Sequence, residues 1–171
     1  KFLVDKKYNL FILDKKKNFL KKNYLKVDKT KVFLGDYLNK NYIKKIITKN
    51  KINVIFHTGA VTQVLLALKD PEYTYNNNIN GTLNFLEIIR KINKKIIFIY
   101  SSSDKAYGEV GKKSYKEETC LNSIFPYDVS KSCSDLICQS YAKTYNLKIG
   151  ILRCGNLYGP GDFNTGRLIN G

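Results

Sequence analysis

Three observations predict a doubly wound α/β fold, in which helices cover both faces of a parallel sheet. Short apolar runs rich in Ile, Val, Leu and Phe alternate with helical patterns along the 171-residue chain. Each run is too short for a helix and reads as a strand buried on both faces. The length suits about one domain, and a 43% hydrophobic fraction is enough to build its core without disulfides or metals.

In chain order, strands are expected at Asn9 to Leu13, Lys31 to Leu34, Asn53 to Phe56, Lys95 to Tyr100 and Lys148 to Leu152. Helices are expected at about Asn41 to Thr48, Val61 to Lys69, Tyr73 to Ile92 and Tyr127 to Tyr145. The last is the clearest, because Val129, Cys133, Leu136, Ile137, Ser140 and Tyr141 recur at 3-4 spacing and predict one apolar or small stripe. The first seven residues read as the end of a helix that leads into the first strand. Neither an internal repeat nor a linker divides the sequence.

A net charge of +16 raises the question of a nucleic-acid or membrane partner. The charge is uneven: residues 1 to 60 hold 16 lysines and 4 acids, residues 61 to 171 hold 14 basic and 10 acidic groups. Only 3 of the 30 basic residues are arginine, the side chain whose planar fork reads bases and phosphates. A solvated lysine surface is therefore expected, with no nucleic acid and no membrane as partner. No apolar run is long enough to cross a bilayer. Cys120, Cys133, Cys138 and Cys154 form no Cys-x-x-Cys pair, and with His57 as the one histidine no metal site is expected. The four cysteines read as buried thiols of a reducing, cytoplasmic protein.

Chemistry concentrates in three segments, two just after predicted strands, where open α/β sheets place their ligands, and one at the start of the last predicted helix. SSSDKAYG occupies residues 101 to 108, PYDVSK residues 126 to 131, and RCGNLYGPGD residues 153 to 162. Tyr127 and Lys131 stand four apart and project from one helical face. A tyrosine is a poor base at neutral pH, and a nearby ammonium favours its phenolate. Asp14 closes the first predicted strand, where a dinucleotide-binding βαβ unit keeps the acid that holds the adenosine ribose, about 20 residues beyond a glycine fingerprint. Counting back that far passes Lys1.

With Gly35-Asp36, HTGAVTQV at residues 57 to 64 and NINGT at residues 78 to 82, this ordered set resembles a known family. It is similar to the extended short-chain dehydrogenase/reductases, specifically the NAD-dependent nucleotide-sugar epimerases and dehydratases. The resemblance covers essentially the whole chain and implies a Rossmann-like fold with sheet order 3-2-1-4-5-6. It also implies NAD as cofactor, a choice over NADP that the Asp14 carboxylate supports although Lys15, Lys16 and Lys17 follow it.

Carried over residue by residue, the resemblance implies that Asp14 holds the adenosine ribose, Asp36 the adenine, and Ala60 lines the cofactor. Asn78 would lie near the nicotinamide, or simply bond the backbone. Tyr127 would take the proton of the sugar 4-hydroxyl, Lys131 would bind the nicotinamide ribose, and Ser103 would hydrogen-bond the same sugar oxygen. Asp104 would protonate the departing 6-hydroxyl, and Lys105 would take the carbon 5 proton if burial and charged neighbours lower its pKa. The plainer alternative is that Asp104 caps a turn and Lys105 is solvated. Asn156 and Tyr158 match the turn that approaches the nucleotide-sugar diphosphate, with Gly155, Gly159 and Gly161 allowing close backbone approach. Arg167 reads as a phosphate contact or a surface residue, and His57 as structural.

The Asp104-Lys105 pair resembles the CDP-glucose 4,6-dehydratase branch, so the expected activity is a nucleotide-sugar 4,6-dehydratase, a lyase. The rivals are an NAD-dependent nucleotide-sugar 4-epimerase and, from another class, a non-catalytic basic binding module. The sequence has no methionine and its glycine fingerprint would precede Lys1. Residues 1 to 171 are thus expected to be a partial NAD-binding domain carrying the catalytic residues, without its first strand and glycine-rich turn and with the nucleotide-sugar domain largely missing. Such a piece alone is expected to be neither stable nor active. The full-length protein is expected to be a homodimer packed through the helices at Tyr73 to Ile92 and Tyr127 to Tyr145.

Overall fold

The computed structural model describes residues 3, 6, 8–15, 31–109, 111 and 114–158. The expected helix end at residues 1 to 7, and Lys16, Lys17, Gly159, Gly161 and Arg167, lie wholly or mostly outside that set. The chain divides into two compact units, residues 1–39 with 156–171, and residues 40–155.

In the first unit, β1 (Phe11–Asp14) pairs in parallel with β2 (Lys31–Leu34), Phe11 opposite Lys31 and Asp14 opposite Leu34. The Phe11 and Phe33 rings stack on one face of this pair, with centroids 6.3 Å apart. The Gly35 amide donates to the Asp14 carbonyl at 3.0 Å, which sets Asp36 just past the ends of both strands.

The second unit contains α1 (Lys40–Lys49), β3 (Val54–His57), α2 (Val64–Lys69) and α3 (Pro71–Tyr75), which runs on through a π-helical turn (Asn76–Asn80) into α4 (Gly81–Ile92). After these come β4 (Ile97–Ser101), a 3₁₀ turn (Asp104–Tyr107), α5 (Pro126–Tyr145) and β5 (Lys148–Leu152). The three strands form a parallel sheet in the order β3-β4-β5. The two observed orders are the stretches of the 3-2-1-4-5-6 arrangement that flank its first strand, so pairing in each sheet follows the sequence reading.

The core of this unit sits between the sheet and its helices. His57, Phe98 and Tyr100 point to one face, where His57 meets the Phe85 ring of α4 at 4.8 Å. On the other face Val54, Phe56, Ile97 and Leu152 are 40 to 56% exposed. This corrects the expectation of strands buried on both faces. The crossovers from β3 to β4 and from β4 to β5 step in the same direction, and right-handed crossovers of that kind put α4 and α5 on one side.

Local chemistry explains where the helices depart from expectation. Asp70 caps α3 by accepting from the Tyr73 amide at 2.9 Å, with Pro71 at the first helical position, so this helix begins two residues early. α2 begins at Val64 rather than Val61, because the Asn78 side chain binds both backbone groups of Val61. The left-handed Asn146, φ 57°, ends α5.

Two further expectations are corrected. α5 buries Ser130, Lys131, Ser132, Ser134, Asp135 and Cys138, while Leu136 from the predicted stripe is 53% exposed. The apolar and the small polar residues recur with the same period, and the polar set wins the interior because each member finds a hydrogen-bond partner there. Of the four free cysteines only Cys138 is buried, and Cys120 is exposed in the loop before α5.

Candidate active site

The carboxyl end of β4 delivers three consecutive serines, and each has a separate task. The Ser101 carbonyl accepts a 2.7 Å hydrogen bond from Lys131 Nζ. Ser102 Oγ donates to Asp135 Oδ2 at 2.8 Å. Ser103 Oγ caps the 3₁₀ turn, accepting from the Lys105 amide at 3.2 Å and donating to Asp104 Oδ1 at 3.0 Å. The Asp104 amide donates to the Cys154 carbonyl at 3.0 Å, tying the turn to the chain leaving β5.

Helix α5 supplies the facing residues. Tyr127, at its second position, is half-buried and stands one turn ahead of Lys131, which is 4% exposed. Lys131 Nζ lies 5.2 Å from the centroid of the Tyr100 ring. Burial pushes the Lys131 ammonium down to about 8, with a smaller opposing effect from Cys138. Burial also raises the Asp128 carboxyl, an effect that Lys105 opposes and Asp104 reinforces. Asp104, Lys105 and Asp128 therefore share one local field, in which Lys105 itself is exposed. Burial, one of the two conditions set for Lys105 in the sequence reading, is absent.

Asn78 is fully committed to protein partners. Its Oδ1 accepts from the Val61 amide at 2.7 Å, and its Nδ2 donates to the Val61 carbonyl at 3.1 Å and to Ser130 Oγ at 2.8 Å. The π turn brings this amide inward, where it ties the loop carrying Ala60 to the stretch of α5 between Tyr127 and Lys131. His57 is buried beside Thr82 Oγ1, and burial, helped by the Lys131 charge, pushes it down to about 3. It is neutral at physiological pH, in keeping with a structural role.

The remaining expected positions are in the first unit. Asp14 is exposed at the end of β1. Asp36 accepts from the Leu38 amide at 2.9 Å and pairs with Lys15 Nζ at 2.9 Å, so its carboxylate is engaged locally. Asn156 and Tyr158 are exposed.

The sequence reading passed over Ser102, Tyr107, Ser130, Asp135 and Arg153. Asp135 is completely buried, and Arg153 binds it with a two-pronged contact, Nε to Oδ2 at 2.8 Å and Nη2 to Oδ1 at 3.0 Å. Arg153 Nη1 also reaches Tyr107 Oη at 3.1 Å and the Glu117 carbonyl at 2.8 Å. Burial works to raise the Asp135 carboxyl, yet hydrogen bonds from Arg153, Gln139 and Ser102 hold it below the ordinary range. Two signals were available: Asp135 continues the Tyr127, Lys131 face at the next four-residue step, and Arg153 is a rare arginine in a lysine-rich chain.

Residues 1–170 match the family model described as GDP-mannose 4,6 dehydratase. The chain belongs to this family. Among its relatives are a CDP-paratose 2-epimerase of Salmonella typhi, 30% identical over 77% of this chain and 44% of that protein, and a dTDP-D-glucose 4,6-dehydratase of Dictyostelium discoideum, 33% identical over 76% of this chain and 32% of that protein. A solved dTDP-glucose 4,6-dehydratase of Bacillus anthracis in complex with NAD matches with a TM-score of 0.80 at 26% identity, over 93% of this chain and 50% of that one. A UDP-glucose 4-epimerase of Thermotoga maritima with UDP-glucose matches with a TM-score of 0.81 at 25% identity, over 94% of this chain and 52% of that one. The fold is thus Rossmann-like α/β with parallel sheets, and the chain spans about half the length of the solved structures, or less of the curated relatives.

Proposed function

We propose that the full-length protein is an NAD-dependent nucleotide-sugar 4,6-dehydratase of the CDP-glucose type. The observation that carries this reading is the Ser103-Asp104-Lys105 turn, fastened at the end of the β4 strand whose last carbonyl receives Lys131. The residues suit NAD. A buried ammonium has three N–H donors and Ser101 takes one, leaving others for a ribose diol. The exposed Asp14 carboxylate suits the hydroxyls of a second ribose. NAD, when bound, supplies the acceptor and later the donor of a hydride.

Tyr127 takes the proton from the sugar 4-hydroxyl as carbon 4 gives up its hydride and becomes a ketone. The Lys131 charge, one helical turn away, stabilises the anionic tyrosine that does this. Ser103 Oγ, anchored by the Lys105 amide, turns its single proton from Asp104 Oδ1 to the same sugar oxygen once substrate is bound. The ketone acidifies carbon 5. Lys105 removes that proton, and Asp104 protonates the 6-hydroxyl so that it leaves as water. Asp104 Oδ2 stands beside Gly155, 3.7 Å from where a Cβ there would lie. Hydride then returns to carbon 6 while Lys105 gives the proton it took back to carbon 5, which completes the 4-keto-6-deoxy product.

The exposure of Lys105 favours a second reading, an NAD-dependent 4-epimerase in which neither Asp104 nor Lys105 acts. Incubating the full-length protein with NAD and CDP-glucose decides between them. A 4-keto-6-deoxy product supports the dehydratase, and an epimeric hexose formed without loss of water overturns it.

A homodimer belongs to the same reading. Leu65, Leu68 and Tyr73 on α2 and α3 are 44 to 82% exposed, and these helices pack against α5, which exposes Leu136. No helix among the described residues is long and apolar enough to cross a membrane.

A further inference from the structure

The Asp135-Arg153 pair has no place in the chemistry proposed above, yet it is the most heavily connected ionic group among the described residues. Three separately built segments meet at it. Asp135 belongs to α5, two turns beyond Tyr127 and on the face that carries Lys131. Ser102, which donates to Asp135 Oδ2, immediately precedes Ser103 and Asp104. Arg153 leaves β5 and grips Tyr107, the last residue of the turn that Asp104 begins, through a 3.1 Å hydrogen bond, with its guanidinium carbon 5.0 Å from the ring centroid.

The two halves of the candidate site depend on this pair unequally. Tyr127 and Lys131 keep their spacing through the backbone of their own helix, whatever happens around them. Asp104 and Lys105 sit on a four-residue 3₁₀ turn with little stiffness of its own. The turn is held at one end through Ser102 and at the other through Tyr107, and both tethers end on the same ion pair.

We propose that Asp135 and Arg153 are positioning residues that hold the Asp104-Lys105 turn in place against Tyr127 and Lys131, so that losing the pair slows water elimination more than oxidation at carbon 4. The elimination half of this statement rests on the dehydratase reading. A mere stabilising pair would instead weaken both steps together, in proportion to the folded protein lost.

The test uses the full-length protein with Arg153→Lys, which keeps the charge and loses the planar fork, and Asp135→Asn, which keeps the shape and loses the charge. Ser102→Ala, which removes one hydrogen bond to the pair, keeps the test available should the ionic variants fold poorly. Asp135→Glu is the conservative rescue. Amide hydrogen exchange at Asp104, Ala106 and Gly108, whose amides bond the carbonyls of Cys154, Ser103 and Lys105, is expected to quicken by about tenfold in Arg153→Lys while the middle of α5 stays protected. In single turnovers with CDP-glucose, elimination is expected to fall by at least about tenfold and nicotinamide reduction by less than about threefold, with Asp135→Glu recovering most of the difference. Unchanged exchange in the turn overturns the positioning role whatever the substrate. Faster exchange with both steps slowed equally overturns the selective effect. A wild-type protein that yields an epimer overturns the dehydratase reading and with it the elimination claim, and the exchange result then decides the positioning role by itself.

Discussion

The two faces of α5 invert the usual rule for a helix packed on a sheet. Its inner face carries Ser130, Lys131, Ser134 and Asp135, all nearly inaccessible, and its outer face shows Leu136 to solvent. An ordinary amphipathic helix is held by apolar area and tolerates sliding. This one is held by directed bonds: Ser130 to Asn78, Ser134 to the Asn78 carbonyl, Lys131 to Ser101, and Asp135 to Ser102 and Arg153. Each has a preferred length and angle, so the polar interior fixes where the helix sits as well as that it sits there. In the function proposed, α5 presents a base to a substrate, a task that gains from that fixity.

Substitutions on each face test the contrast, and the largest effect is expected at the proposed catalytic position. Tyr127→Phe keeps the ring and removes the proton acceptor, so kcat is expected to fall by about a thousandfold with the fold intact, measured by steady-state turnover alongside circular dichroism. Asp135→Leu removes the buried partner of the half-buried Arg153 and the acceptor of Ser102 and Gln139, and should cost on the order of 3 kcal/mol in urea unfolding. A loss below about 1 kcal/mol would show that the inner face is held by something other than these bonds.

Lys131 carries a pH signature. Its folded-state value of about 8 lies below the ordinary 10.5, a difference on the order of 3 kcal/mol. Below about 8 both folded and unfolded chains hold the proton, and the folded state bears the whole cost of the buried charge. Between about 8 and 10.5 the folded chain has released the proton and the unfolded chain has not, so this contribution favours folding increasingly as pH rises. Lys131→Met is therefore expected to be more stable than the wild type at neutral pH, with the advantage shrinking across that window. Denaturation of the two proteins side by side at several pH values measures it. On the outer face Leu136→Ser should change the stability of the folded chain by less than about 0.5 kcal/mol, while weakening self-association of the full-length protein in analytical ultracentrifugation.

Period and composition located every strand among the described residues to within two residues at either end, because a buried strand needs a short apolar run and little else marks its position. The site motifs stood out for a different reason: Tyr127 and Lys131 share one helical face by their spacing, and Ser103, Asp104 and Lys105 follow directly on a strand. Two kinds of information were not legible. Which face of α5 turns inward depends on partners such as Asn78 and Arg153, which lie 52 and 18 residues from Ser130 and Asp135 respectively. The role of Asn78 was equally hidden, since only the fold shows that Val61 waits within reach of both ends of its amide.

The π turn at Asn76–Asn80 has a consequence for the gene as much as for the protein. A π turn is one residue more than an α turn, so deleting a single codon there would restore regular helix at no local cost in hydrogen bonds. The same deletion would rotate everything after it by about 100° relative to Pro71–Tyr75. Phe85 would swing away from His57, and Asn78 would lose either Val61 or Ser130. Substitutions at the exposed Asn76 and Asn80 are therefore expected to be far better tolerated than any change in the length of this stretch.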